Sequence, residues 1–151
     1  MLDKNYPNII VKSRQSLLDQ PIGGKFELIS IHDPDGEPVE RPINCVKIIN
    51  LDFHDVELSR LSTCFCSNDT NIKPFSPYQA YAVALCVYSC MEQFLNPTVV
   101  FQCEMGISRS VGMAAATARH FGMDDLVYFE KYLPNRLVYR LQLEAFRRIS
   151  K

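Results

Sequence analysis

Four short runs of β-forming apolar residues constrain the fold of this chain more than any other feature. They fall at residues 8–11, 26–31, 45–51 and 98–102. None alternates cleanly between apolar and polar positions, as expected of strands covered on both faces. Segments with helical punctuation separate them. A short helix is predicted over 13–19. Ser76 can cap a second helix, with Pro77 at its first position and Gln79 completing a capping box. Ala80, Ala84, Val87 and Met91 mark one face of that helix, and Asn96-Pro97 ends it. A third helix opens near Ser108 and closes by Gly122, a fourth starts at Asp124-Asp125, and a last one runs over 136–149 after the break at Leu133-Pro134-Asn135. Strands alternating with helices imply an α/β fold with a central, mostly parallel sheet and helices on both faces. At 151 residues the chain fits one domain, residues 1–151. With 47% hydrophobic and 22% charged residues, disorder is excluded.

Charge narrows the partners. Sixteen basic residues against seventeen acidic ones give a net charge of −1. No general attraction to nucleic acid or to an anionic membrane is expected. A local anion site remains open, and a monomer is expected. No run of 18 apolar residues is present, and the segment MLDKNYPNIIVKSRQ lacks the apolar stretch of a signal peptide. The expected location is therefore the reducing cytoplasm, with the cysteines at 45, 64, 66, 86, 90 and 103 as thiols. Cys64-x-Cys66 and Cys86-x₃-Cys90 do not match structural zinc spacing, and Cys86 and Cys90, one helical turn apart, read as core. Cys45 or Cys64 is a candidate partner for an oxidised Cys103.

Chemistry concentrates in Val99-Val100-Phe101-Gln102-Cys103-Glu104-Met105-Gly106-Ile107-Ser108-Arg109-Ser110. A cysteine ends a buried strand, and an arginine opens a helix after a short loop. In open α/β sheets, ligands bind at the carboxyl ends of strands. Gly106 permits backbone conformations denied to bulkier residues, so the loop can curl with its N–H groups inward around an anion. The helix N-terminus adds positive potential, and Arg109 can grip oxyanion oxygens with two parallel hydrogen bonds. The same field favours the thiolate of Cys103, the nucleophilic form. A lone cysteine after a β-run is ordinarily a small buried hydrophobe; Gly106, Ser108, Arg109 and Ser110 at fixed offsets argue for more. The combination fits phosphoryl transfer through a cysteinyl-phosphate.

QCEMGISRS resembles the signature loop of the cysteine-dependent protein tyrosine phosphatases, in particular the small dual-specificity branch with its His-Cys-x-x-Gly-x-x-Arg-Ser pattern. The Val-Val-Phe strand before it, and Pro134-Asn135 with the helix after it, are also similar, so the likeness spans roughly residues 45–149 and is specific at the loop. It implies a protein tyrosine phosphatase-like fold and a phosphomonoester hydrolase. Cys103 would be the nucleophile and Arg109 the phosphate clamp. The backbone of Glu104, Met105, Gly106, Ile107 and Ser108 would form the cradle, and Ser110 would stabilise the departing sulfur. The implied partner is a phosphorylated protein, carrying phosphotyrosine and, in a shallow pocket, phosphoserine or phosphothreonine. The positive field of Arg109 and the backbone calls for no metal or cofactor. Gln102 stands where the pattern has histidine and carries no charge. A phosphoprotein-binding pseudophosphatase is the alternative reading, and a rhodanese-like sulfur carrier a more distant one.

A leaving oxygen needs a proton, and in the family an aspartate on a loop after an upstream strand gives it. Asp55 is the favoured candidate, with Asp69 and Asp52 as alternatives. Asn135 would brace the signature segment, and Glu104 would oppose highly anionic substrates. Arg136, Arg140, Arg147 and Arg148 read as a solvated helix face.

Overall fold

A computed structural model of the chain describes residues 5–57, 59 and 71–150. The elements run β1 (Asn8–Ser13), α1 (Arg14–Asp19), β2 (Phe26–His32), β3 (Cys45–Asp52), α2 (Pro77–Gln93), β4 (Thr98–Cys103), α3 (Arg109–His120), α4 (Leu126–Lys131) and α5 (Arg136–Ile149). The four strands lie in the order β1-β4-β2-β3, and every pairing is parallel. The last strand in sequence is thus inserted beside the first. Because the sheet is parallel, all four carboxyl ends share one edge. Ser13 lies opposite Cys103, and Ser30 opposite Gln102.

The punctuation read from the sequence works as hydrogen bonds. Ser76 and Gln79 form a reciprocal capping box at the start of α2, and loss of such a cap typically costs about 1 kcal/mol. Gly122 takes φ +78° just past α3, the left-handed conformation that ends many helices.

One face of the sheet packs Ile29, Ile31, Val99 and Phe101 against Val83 and Val87 of α2, Met113 of α3 and Phe146 of α5. On the other face, Leu28 and Val100 meet Leu17 of α1 and, from segment 20–44, Ile22 and Val39. Helices therefore flank both faces, but α1 is short and much of its side is covered by loop. Every residue of α3 from Arg109 to Ala118 is buried. Small side chains make this possible: a Cβ on Gly112 would lie 2.7 Å from the Asn135 carbonyl oxygen at the start of α5.

Cys86 and Cys90 are core residues. Burial, reinforced by the neighbouring Glu27 carboxylate, pushes both thiols up to about 12, so they stay protonated at neutral pH. Pairing of Cys45 with Cys103 is overturned by the topology. Cys45 begins β3 and Cys103 ends β4, so they occupy opposite ends of the sheet, with β2 between their strands. Cys64 and Cys66 lie outside the described residues. The four arginines of α5 are exposed, as expected of a solvated face.

Candidate active site

The loop from Glu104 to Ser108 leaves the sheet at the end of β4 and is tied down from three directions. The Glu104 carbonyl accepts from the Arg14 amide at 3.1 Å, and that of Ile107 from the Leu133 amide at 3.1 Å. The Ser108 carbonyl accepts from the amides of Gly112 and Asn135. Three peptide oxygens are thus turned toward the surrounding protein. In a planar trans peptide the next N–H points the opposite way, so the amides of Met105, Ser108 and Arg109 face away from those anchors. Gly106 takes φ +68°, and a Cβ there would lie 2.7 Å from the Ser13 amide nitrogen. Gly106→Ala is therefore doubly opposed, by conformation and by backbone contact. It is expected to cost on the order of 1–3 kcal/mol of stability and to weaken binding of a tetrahedral oxyanion such as orthovanadate, measurable by chemical denaturation and ligand titration. Glu104 points outward and pairs with Arg14 at 2.9 Å, so its charge is matched rather than aimed at an incoming anion.

Cys103 is buried, and its Sγ sits 3.0 Å from Ser110 Oγ at the start of α3. Gln102 is also fully buried. Its Oε1 accepts from Ser30 Oγ at 2.5 Å, and its Nε2 donates to the Cys103 carbonyl at 3.0 Å. Glutamine thus holds the cysteine backbone by hydrogen bonds alone, where the family pattern has an ionisable ring. The Arg109 side chain is only 7% exposed. Its Nη1 donates to the Phe53 carbonyl at 2.8 Å and to Asp33 Oδ1 at 2.6 Å.

The three candidate acids separate by direction. Asp55 lines the same hollow as Cys103 and Arg109. Its Oδ1 accepts from Ser108 Oγ at 2.8 Å and from Asn135 Nδ2 at 2.7 Å. Among the described residues no hydrogen bond reaches its Oδ2. Asp52 turns elsewhere and accepts from Lys73 Nζ at 2.7 Å; the Lys73 ammonium holds its carboxyl below the usual carboxylate range. Asp69 lies outside the described residues. Asn135 joins three parts of the site. Besides Asp55 it donates to the Val56 carbonyl, caps α5 through the Val138 amide, and places its own amide on the Ser108 carbonyl.

The hollow has a volume of about 300 Å³ and is lined by Asp55, Glu57, Cys103, Met105, Ile107, Ser108, Arg109 and Leu133. The sulfur, the guanidinium and the favoured acid therefore meet in one cavity, with Ser110 behind the sulfur. Asp33, Glu57 and Leu133 were not singled out in the sequence. Asp33 had a usable signal: it follows β2 directly, at the same sheet edge as Cys103.

Fold and site together define a parallel α/β domain in which a loop at the carboxyl edge of the sheet brings a cysteine and an arginine to one hollow. No family model matches the chain, and no curated protein matches it. Among solved structures, the crystal structure of PTPMT1 is similar with a TM-score of 0.41 at 16% identity, covering 95% of this chain and 92% of that one. A likeness that distant says nothing of the reaction, which rests on the residues themselves. No helix among the described residues is long and apolar enough to cross a membrane.

Proposed function

We propose that the chain is a cysteine-dependent phosphomonoester hydrolase of the protein tyrosine phosphatase kind, dual-specificity type, acting on phosphorylated proteins in the cytoplasm. The observation that carries this reading is the meeting of Cys103, Arg109 and Asp55 in one hollow of about 300 Å³. The thiolate attacks phosphorus in line, forming an S–P bond as the P–O bond to the leaving group breaks. Asp55 gives its proton to the departing oxygen. Water then attacks phosphorus, Asp55 takes a proton from it, and the S–P bond breaks. Ser110, 3.0 Å from the sulfur, donates to the thiolate as it leaves. Arg109 and the loop amides hold the phosphoryl oxygens throughout.

The rim supports an aryl phosphomonoester such as phosphotyrosine. Met105, Ile107 and Leu133 are exposed apolar side chains around the opening, suited to an aromatic ring. Arg109 is the sole cation among the described lining residues, while Asp55 and Glu57 are acidic. A polyphosphorylated substrate finds little there to balance its additional charges. Hydrolysis of p-nitrophenyl phosphate and of a phosphotyrosine peptide in the presence of a chelator tests the reading. Binding of the peptide without turnover would replace it with a phosphoprotein-binding module. Cyanide-dependent persulfide transfer would replace it with a sulfur carrier.

A further inference from the structure

We infer that Asp33 is a positioning residue for Arg109, aiming the guanidinium at the phosphoryl group without touching that group. The inference rests on reading the hollow as a phosphomonoester site. Nη1 of Arg109 carries two hydrogens and has two acceptors from different loops: Asp33 Oδ1 at 2.6 Å, after β2, and the Phe53 carbonyl at 2.8 Å, after β3. That nitrogen is saturated from behind. Nη2 and Nε remain, and they form the edge of a guanidinium that grips two oxyanion oxygens in parallel. An arginine held at one nitrogen by a single carbonyl can still swing; a second, charged acceptor removes that freedom and fixes which edge faces the sulfur.

The support under Asp33 is itself fixed. Its carbonyl accepts from the Gly36 amide at 2.8 Å, closing the Asp33-Pro34-Asp35-Gly36 turn. A Cβ on Gly36 would press on that same carbonyl at 3.2 Å. His32 Nδ1 lies 2.8 Å from it as well. Asp33 is absent from the residues lining the hollow, whereas Asp55 is among them. The two aspartates thus divide the work: Asp55 faces the reacting atoms, and Asp33 faces the back of the arginine.

The test is a series of aryl phosphates of graded leaving-group acidity, assayed on wild type, Asp33→Ala, Asp33→Asn and Asp33→Glu, with orthovanadate inhibition and thermal melting of each. Asp33→Ala is expected to lower kcat/KM by ~10- to ~100-fold across the whole series, as misplacing a positioned group does, and to weaken vanadate inhibition. Asp33→Asn, which keeps an oxygen facing Nη1, is expected to return part of both losses. The dependence on leaving-group acidity should stay that of wild type. Unchanged kinetics and vanadate inhibition in folded Asp33→Ala would overturn the inference. So would a steeper leaving-group dependence, which would make Asp33 a proton donor. Should Asp33→Ala not fold, Asp33→Asn and Asp33→Glu decide by the same two readouts. The underlying reading fails separately: if Cys103→Ser keeps wild-type hydrolysis, the site is not a cysteine phosphatase, whatever the Asp33 variants do.

Discussion

Cys103→Ser is expected to reduce phosphomonoester hydrolysis by ~10⁴-fold or more, the scale on which removing a catalytic nucleophile acts, while leaving phosphopeptide binding in place. The reason lies in where the interactions are made. In the proposed reading the oxyanion would be held by Arg109 and by the amides opposite the anchored carbonyls of Glu104, Ile107 and Ser108, none of which the substitution removes. What disappears is the polarizable sulfur nucleophile. A serine hydroxyl in its place is a weak nucleophile unless a base removes its proton, and the partner of the sulfur among the described residues is another hydroxyl, that of Ser110. Steady-state assays with p-nitrophenyl phosphate, and calorimetric binding of a phosphotyrosine peptide to the variant, check both halves. Undiminished turnover would remove Cys103 from the reaction, and loss of binding with turnover would show that the sulfur also organises the cradle.

Asp55→Asn is expected to behave differently. The amide can keep the hydrogen bond from Ser108 or Asn135 but has no proton to give to the leaving oxygen. On phenyl phosphate the rate should fall by ~10²–10⁴-fold, the usual contribution of a positioned general acid. On p-nitrophenyl phosphate the loss should be smaller, because that leaving group departs readily as an anion. Asp52→Asn serves as the control: its carboxylate pairs with Lys73 at 2.7 Å outside the hollow, so it should hydrolyse both substrates like wild type. An Asp52→Asn defect with an intact Asp55→Asn enzyme would reverse the assignment.

Local chemistry was legible along the chain and long-range pairing was not. The Ser76–Gln79 box, Pro77 and the Gly122 terminus could be read directly, because each depends on residues within one turn. The strand–loop–helix unit around Cys103 was legible for the same reason: its nucleophile, its glycine and its arginine lie within seven consecutive positions. Asp55 could be favoured over Asp52 only by its distance beyond a strand end; what separates them in space is that one side chain meets Ser108 and the other Lys73. The Asp33–Arg109 and Arg14–Glu104 pairs join residues 76 and 90 positions apart. Composition and periodicity carry no information about such pairs, which follow from the insertion of β4 between β1 and β2. The close approach of Gly106 to Ser13 has the same origin: the glycine was legible as a turn residue, but not the neighbour it must clear.

The placement of β1 has a consequence for how the protein would lose the proposed activity. Among the described residues it is an edge strand, bonded to β4 alone, yet Ser13 forms the surface on which Gly106 rests, and Arg14 holds Glu104 through both backbone and side chain. Sheet margins fray at lower free energy than sheet centres. Peeling of this hem would release the Glu104–Ser108 loop while Phe101, Met113 and Phe146 stay packed, so gentle warming should abolish the proposed hydrolysis several degrees before circular dichroism registers melting, with amides 8–13 the earliest in the sheet to exchange with deuterium.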